Sequence, residues 1–148
     1  MEIIQLQYGS PLWEQTAVFA EKCSWIAGKH FAALLRENCF SDWEACFAAA
    51  EDQNIIGYCT FLKEDYYPEN RYSPWISSIF VTEAFRGRRI SHKMIEAVMD
   101  YAKKQGFQTV YIPAASDMNG FYEKCGFTKI DTLKNYSGDI DNIYMRVL

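Results

Sequence analysis

The sequence predicts an α/β (α+β) fold in which helices flank one mixed sheet, with residues 1–148 forming a single domain. Residues 74–113 contain a strand, a helix and a strand in about forty residues, a unit whose two strands run parallel. Two apolar runs separated by a turn precede it and are typical of an antiparallel hairpin. A chain of 148 residues that is 49% hydrophobic and 16% aromatic is also long enough for one buried core.

The N-terminal part is predicted to contain one strand and two helices. Residues Met1–Tyr8 alternate like a short strand, and Ser10 and Pro11 are the N-cap and first-turn proline that begin a helix. That helix is expected to run to about Ala27, with Gly28 as its C-cap, and a second helix to cover Lys29–Glu37. The apolar positions of the first helix recur at intervals of three and four: Trp13, Ala17, Ala20, Cys23 and Ala27.

The next segment, Trp43–Lys63, has two apolar runs around the turn-forming residues Glu51–Asn54, which predicts a hairpin. Alanines in the first run also fit a helix, which is the alternative. After a loop over Glu64–Ser73, the β-branched and aromatic run Pro74–Val81 predicts another strand.

The C-terminal part is predicted to contain two helices and three strands. A helix of about four turns ends at Gly106. Its apolar residues recur at helical spacing: Ile90, Met94, Ala97, Val98, Tyr101 and Ala102. The elements expected after it are a strand at Phe107–Pro113, a short helix at Asn119–Lys124, and strands at Phe127–Leu133 and Ile143–Leu148.

The charge and the cysteines limit the possible functions. A net charge of −4 argues against a nucleic acid or an anionic membrane as partner, because both attract a positive field. The five cysteines include no C-x-x-C pair and no histidine at zinc-ligand spacing, so we expect reduced thiols and no metal. The N-terminus has no signal-peptide pattern. These features together predict a cytoplasmic protein.

The stretch VTEAFRGRRISHKM, residues 81–94, joins a strand end to a helix start through three arginines and a glycine. A helix N-terminus has unpaired amides and a partial positive charge, and it therefore favours phosphate. Gly87 permits positive φ and a close approach of the backbone, and the guanidinium groups suit phosphate oxygens. A solvated basic turn is the alternative interpretation. The loops of nucleotide triphosphatases and of dinucleotide-binding folds are absent from the sequence.

The turn resembles the coenzyme A loop of the GCN5-related N-acetyltransferases, the GNAT family, written R/Q-x-x-G-x-G/A. Here Val81 is followed by Arg86-Gly87-Arg88-Arg89-Ile90-Ser91, with Arg89 at the position of the second glycine. A second segment, GFYEKCGF at Gly120–Phe127, is similar to the family's Y-E-K-x-G-F segment. An asparagine that often precedes that tyrosine is Ala115 here, with Asn119 close by. The predicted order of elements also resembles the family's architecture.

The resemblance implies a mostly antiparallel sheet with one splayed parallel strand pair, and direct transfer of acetyl from acetyl-CoA to an amine. It implies that the main chain of Ile79–Val81 pairs with pantetheine, and that the amide of Phe80 or Val81 polarises the thioester carbonyl. The expected cofactor-binding residues are Ile79, Phe80, Val81, Arg86, Gly87, Arg88, Arg89, Ile90, Ser91 and Asn119.

The resemblance also implies that Tyr122 protonates the departing thiolate. A phenol of pKa near 10 is suited to donate as charge develops on sulfur. The alternative for Tyr122 is aromatic packing beside Phe121 and Phe127. The general base is left open among four carboxylates: Glu83, Glu64, Asp65 and Glu69.

The sequence also allows other interpretations of the loop residues and of the function. The loop aromatics Tyr66, Tyr67, Tyr72 and Trp75 suit either an amine pocket or packing on the sheet. The acyl acceptor is expected to be a small-molecule amine or a peptide amino group, and a homodimer is plausible. The rivals are an acetyl-CoA sensor without efficient catalysis and a nucleic-acid contact through the arginine turn.

Overall fold

The computed structural model describes residues 1–115 and 120–148. Its strands are β1 (Glu2–Gln5), β2 (Ala45–Glu51), β3 (Asn54–Leu62), β4 (Trp75–Val81), β5 (Thr109–Ala115), β6 (Thr128–Lys134) and β7 (Ile140–Val147). Its helices are α1 (Pro11–Lys22), α2 (Gly28–Arg36), α3 (Ile90–Lys104) and α4 (Phe121–Lys124), with a 3₁₀ turn at Glu83–Phe85.

The strands form one sheet in the order β1-β2-β3-β4-β5-β7-β6. Strands β4 and β5 are parallel, with Trp75 opposite Tyr111, while β1 with β2, β5 with β7 and β6 with β7 are antiparallel. The predicted mixed and mostly antiparallel sheet is therefore confirmed.

The prediction for the end of the first helix is wrong. Helix α1 ends at Lys22, because Cys23 takes an extended conformation at φ −70° and ψ 165°. Gly28 is the first residue of α2 and not a C-cap. A side chain at Gly28 would collide with the carbonyl of Ala20, so the close approach of the chain to α1 requires the glycine there.

The hairpin is confirmed, and the alternative of a helix in its first run is wrong. Strands β2 and β3 are joined by Asp52 and Gln53, whose φ values of 49° and 68° fit the left-handed turns that favour tight hairpins. Asparagine and aspartate tolerate this region better than most residues, and the turn sequence contains both. Strand β7 begins at Ile140, three residues before the predicted start.

The described chain falls into two compact units, of which the first contains residues 1–60 and 78–97. Its core joins one face of α1 and α2 to β2, β3 and the end of β4. Trp13 is held by a hydrogen bond from its indole to the Leu35 carbonyl, at 2.8 Å. The buried residues of this core include Trp13, Ala17, Ala20, Phe31, Leu35, Cys46, Ala48, Tyr58 and Phe80.

The second unit contains residues 61–77 and the described part of 98–148. Its aromatic cluster is built on Tyr67 and Trp75, with Leu133 and Ile143 buried beside them. In this unit α3 ends as predicted, because Gly106, at φ 92°, donates its amide to the carbonyl of Lys103. Among the residues described, no helix combines the length and the apolar character needed to cross a membrane.

Candidate functional site

Strand β4 is irregular at its centre. Ser78 has a φ of 53°, a conformation that β-branched and most other L-residues avoid and that costs about 1 to 3 kcal/mol. The burial along β4 does not alternate, since Trp75, Ile76 and Ser77 are all buried and so are Phe80 and Val81. A left-handed residue inside a strand changes the direction of the side chains that follow it. The alternation of side chains along β4 is therefore interrupted at Ser78.

The C-terminal half of β4 lies against Gly57 of β3. A Cβ atom at Gly57 would lie 2.6 Å from the Phe80 carbonyl oxygen and 3.3 Å from Cγ2 of Val81. Beyond β4, the Thr82 amide donates to the Ile56 carbonyl at 2.8 Å. The backbone at Phe80 and Val81, which is predicted to bind the cofactor, is thus fixed by Gly57, a residue outside the predicted site. A lone glycine inside a strand pattern was the available signal.

The arginine turn takes two left-handed residues before α3 begins. Gly87 has φ 82° and Arg89 has φ 61°. Arg89 therefore adopts the conformation that a glycine at this position would adopt without strain. Alternation of this kind turns successive amides toward one side and makes a concavity suited to an anion.

The amides of this turn are available. No residue in the described part of the chain accepts a hydrogen bond from the amide of Gly87, Arg88, Arg89, Ile90 or Ser91. The first turn of α3 contains no acidic residue, and the Lys93 amide makes the first bond of the helix, to Arg89. The partial positive charge of the helix is therefore not compensated from within its own first turn.

The three arginines of the turn differ in their contacts. The Arg86 Nε donates to the Val81 carbonyl at 2.8 Å, and its guanidinium lies 5.4 Å from the centre of the Phe80 ring. Arg88 lies 4.9 Å from the centre of the Phe85 ring. Within residues 1–115 and 120–148, neither Arg88 nor Arg89 forms an ion pair. Arg86 thus fastens the turn to the end of β4, while the other two cations are not neutralised.

Glu83, the nearest carboxylate to the turn, is already engaged. It accepts a hydrogen bond from the Ser24 hydroxyl and lies 3.5 Å from an Arg86 nitrogen. The Ser24 hydrogen bond is the largest cause of the lowered pKa of Glu83, followed by its own backbone amide and then Arg86. An exposed carboxylate with a lowered pKa stays ionised at neutral pH and is a weak proton acceptor.

An aromatic wall covers the same part of β4 in the first unit. The Trp25 ring, in the loop after α1, stacks on Phe80 with centroids 6.2 Å apart and planes 9° apart. The centroid of the Tyr58 ring lies 5.7 Å from that of Phe80 and 4.2 Å from that of Phe31. The helical spacing predicts Trp25 within a continuous helix and does not predict this contact, which depends on the loop that follows Lys22.

Tyr122 is in the second unit, on the single turn of α4. It is 8% exposed, and its ring contacts Phe121 at 5.1 Å, Tyr144 at 5.7 Å and Phe127 at 6.3 Å between centroids. Burial raises the pKa of Tyr122, with smaller contributions from Cys125 and Tyr144. The phenol is therefore protonated at neutral pH. Asn119, the other predicted residue near it, lies outside the described residues.

The loop between β3 and β4 and the first residue of β4, all in the second unit, contain the predicted aromatic residues and three of the candidate general bases. Tyr67 and Trp75 are 4% and 0% exposed and stack on each other at 5.5 Å, so packing is the correct interpretation for these two. Tyr66 is 58% exposed. Glu69 pairs with Arg71 at 2.6 Å.

Among the described residues, no group of three or more histidine, cysteine, aspartate or glutamate side chains is arranged to hold a metal ion.

Comparisons with known proteins find relatives of this chain. A model of the acetyltransferase (GNAT) family matches residues 10–127. The chain is 34% identical over 53 residues to a glucosamine 6-phosphate N-acetyltransferase of Arabidopsis thaliana, covering 36% of each chain. It is 26% identical over 96 residues to an N-alpha-acetyltransferase 30 of Schizosaccharomyces pombe, covering 63% of each. The alignments thus span less than two thirds of either relative.

Solved structures extend the similarity of fold to nearly the whole chain. An aminoglycoside 6'-N-acetyltransferase from Enterococcus faecium superposes with a TM-score of 0.77 at 15% identity, over 99% of this chain and 97% of the other. A GNAT acetyltransferase from Elizabethkingia anophelis with acetyl-CoA bound gives a TM-score of 0.70 at 18% identity, with the same coverage. At these identities the likeness establishes the fold alone.

Proposed function

Because this chain belongs to the acetyltransferase (GNAT) family, we propose that it transfers the acetyl group of acetyl-CoA to a primary amine of a small molecule or peptide. Acetyl-CoA, when bound, supplies an activated acetyl group on a thioester. The observation that carries the proposal is the run of amides from Gly87 to Ser91 that have no acceptor among the described residues, at the N-terminus of α3.

These amides are suited to the diphosphate of coenzyme A. The left-handed conformations of Gly87 and Arg89 favour an anion-binding concavity, and the aligned peptide dipoles of α3 add partial positive charge. Arg88 and Arg89 add two cations that are not ion-paired within the described chain. Arg86 is proposed to contact the cofactor as well, and it supports the site by fixing the turn to Val81. The residues present therefore fit this cofactor.

The end of β4 is proposed to hold the pantetheine and the thioester. The main chain of Ile79–Val81 pairs with the pantetheine amides, and the Phe80 or Val81 amide donates to the thioester carbonyl as charge develops on its oxygen. Gly57 and the left-handed Ser78 support this role, because together they fix the course of the backbone just where those amides lie.

Tyr122 is proposed to give its proton to the departing thiolate. The phenol is protonated at neutral pH, as a proton donor must be, although the burial that raises its pKa also makes it a weaker acid. Glu83 is not proposed as the general base, since its carboxylate is held by Ser24 and Arg86 and its pKa is lowered. The family resemblance adds Asn119 to the cofactor-binding residues.

Two measurements on the purified chain test the function. Calorimetry is expected to detect acetyl-CoA binding that weakens with salt, and Arg88→Ala is expected to weaken it more than Lys104→Ala, which removes the same charge at the other end of α3. Thiol release is then measured with a panel of monoamines, diamines and peptides. No heat of binding would overturn the proposal, while binding without thiol release for any amine would favour the sensor.

A further inference from the structure

One carboxylate in the second unit has a buried oxygen without a hydrogen bond of ordinary geometry, although the Ser77 hydroxyl lies near enough to lower the pKa of the group. The Oδ2 atom of Asp65, in the loop between β3 and β4, is inaccessible to solvent and makes no hydrogen bond with any residue that the structure describes. The other oxygen of Asp65 accepts from the Tyr66 amide at 2.7 Å. A buried acceptor without a donor is costly, and native structures that keep one require a reason.

The surroundings of Asp65 are negative. Asp141, on β7, adds its charge to that of Asp65 and is itself occupied, with Oδ2 accepting from the Tyr67 hydroxyl at 2.8 Å and from Asn135 at 3.0 Å. No lysine or arginine in the described ranges forms an ion pair with either aspartate. Arg71, one of the two cations of the same loop, is bound to Glu69 and Asp131.

The loop is held in place by contacts that do not use the free oxygen. Asn70 donates to the Asp65 carbonyl at 2.7 Å and accepts from the Trp75 indole at 2.9 Å. The position of Asp65 is therefore fixed by neutral hydrogen bonds to its backbone. Its unpaired oxygen is not needed to support the loop.

Two exposed aromatic rings contact each other beside these aspartates in the chain, since Tyr66 follows Asp65 directly and Tyr136 follows Asn135, which donates to Asp141. Tyr66 is 58% exposed and Tyr136, in the turn between β6 and β7, is 61% exposed, with ring centroids 5.0 Å apart. Exposed tyrosine faces attract organic cations. We define the tyrosine–aspartate site as Asp65, Asp141, Tyr66 and Tyr136.

We propose that the tyrosine–aspartate site binds an alkylammonium group of the acyl acceptor that remains protonated during the reaction, so that the preferred acceptor is a diamine or polyamine. This inference rests on the proposed function. The exposed Tyr66 and Tyr136 rings receive the cation, and Asp65 and Asp141 supply the negative charge that holds it.

The tyrosine–aspartate site suits the ammonium group of the acceptor that does not react better than the amine that does. The reacting nitrogen must lose a proton before it attacks a carbonyl. A close carboxylate stabilises the charged form of an amine and opposes that loss. The site therefore suits a cation that anchors the acceptor and stays charged.

The test compares three probes of equal chain length. These are 1,5-diaminopentane, 1-aminopentane and 5-amino-1-pentanol, measured for binding by calorimetry on the chain saturated with coenzyme A and for kcat/KM with acetyl-CoA. The wild type is expected to prefer the diamine. Asp65→Asn is expected to reduce that preference by about tenfold or more, as expected for a lost charged hydrogen bond. Glu69→Gln, in the same loop but paired with Arg71, is expected to leave it unchanged.

A second variant is on the surface and does not threaten folding. Tyr136→Ala removes an exposed ring and is expected to reduce the diamine preference by about twofold to fivefold. Equal binding of the three probes by the wild type, or an unchanged preference in Asp65→Asn, would overturn the inference. Equal loss of turnover with monoamine and diamine in Asp65→Asn would do so too, because it indicates a general base.

The two proposals fail differently. Acetyl-CoA binding and thiol release with 1-aminopentane, accompanied by no preference for the diamine, would leave the proposed function in place and overturn this inference alone. Absence of acetyl-CoA binding would overturn the proposed function and this role of the site with it.

Discussion

Gly57 and Phe80 approach each other so closely across β3 and β4 that no side chain fits between them. A Cβ atom at residue 57 would lie 2.6 Å from the Phe80 carbonyl oxygen, a distance at which one of the two strands must shift. On its other side the Phe80 ring is fixed by Trp25, Tyr58 and Phe19. The backbone that is proposed to hold the thioester is therefore fixed from both sides.

Gly57→Ala is expected to displace the end of β4. The added methyl group meets backbone, which cannot rotate away, so we expect a loss of about 1 to 3 kcal/mol in the free energy of unfolding. We also expect weaker acetyl-CoA binding, because the amides of Phe80 and Val81 move with the strand. Urea denaturation and calorimetry measure the two effects.

A glycine elsewhere provides the control for Gly57→Ala. Gly106→Ala, at φ 92° with no atom within 4 Å of the added methyl group, is expected to lower stability through the backbone alone. Its acetyl-CoA affinity is expected to match that of the wild type. Unchanged acetyl-CoA affinity in Gly57→Ala would contradict the role given to the end of β4.

Arg89 combines a strained backbone with a charge, and two substitutions separate them. Arg89→Ala removes the charge and keeps the left-handed residue, while Arg89→Gly removes the charge and the strain. We expect the glycine variant to be about 1 kcal/mol more stable than the alanine variant. If the side chain contacts phosphate, both variants bind acetyl-CoA more weakly and with a smaller salt dependence.

The alternative outcome for Arg89 is equally measurable. If the backbone conformation alone matters, Arg89→Gly binds acetyl-CoA at least as tightly as the wild type, and its salt dependence does not change. That result would remove the Arg89 side chain from the cofactor site and leave the amides in it.

The sequence predicted those parts of the fold that depend on local pattern. The apolar spacing of α3, the turn at Asp52 and Gln53 and the glycine at 106 are local signals, and the structure has each of them. The end of α1 was not predictable in this way. The residues after Lys22 continue the helical spacing, but the chain leaves the helix, and Trp25 stacks on Phe80 while Ser24 bonds to Glu83.

The candidate site was likewise predictable only where it depends on residues that are adjacent in sequence. The arginine turn is continuous in sequence, so its motif was visible. The fit of Gly57 against Phe80 joins residues 23 positions apart, and the pairing of Tyr67 with Asp141 joins residues 74 positions apart. No periodicity along the chain reports either contact, because both depend on how strands are ordered in the sheet.

Tyr122→Phe is expected to lower kcat about tenfold to a thousandfold, as general acids typically contribute, with acetyl-CoA affinity nearly unchanged. The substitution keeps the ring that packs on Phe121 and Phe127. Tyr144→Phe, which removes the hydroxyl of the neighbouring ring 5.7 Å away, is the matched control and is expected to keep normal turnover. Equal kcat in the wild type and Tyr122→Phe would assign Tyr122 to packing.

Glu83→Gln tests the exclusion of this carboxylate as the general base. Because Ser24 and Arg86 already hold Glu83 and lower its pKa, we expect kcat to fall far less than the roughly hundredfold or greater loss that follows removal of a general base. The pH profile of kcat/KM is expected to keep its acidic limb. Disappearance of that limb in Glu83→Gln would identify the base.

The buried carboxylate of Asp65 has a signature in the pH dependence of folding. Burial raises the pKa of Asp65 above its ordinary value of 3.8, and Asp141 adds to the rise, while the Tyr66 amide and the Ser77 hydroxyl partly oppose it. The folded chain therefore holds this proton at a pH where the unfolded chain has released it. Stability from this group is present below pH 3.8 and is lost as the pH rises through the raised pKa.

We therefore expect the free energy of unfolding of the wild type to decline, relative to that of Asp65→Asn, as the pH is raised from about 4 toward neutrality. Carboxylates with lowered pKa values, Glu21 and Asp131 among them, act in the opposite direction in both proteins and cancel in the difference. Urea denaturation of the two proteins at matched pH values measures it. A difference that does not change with pH would show that Oδ2 of Asp65 is compensated in solution, and a difference that shrinks when 1,5-diaminopentane is added would link the same oxygen to the bound cation.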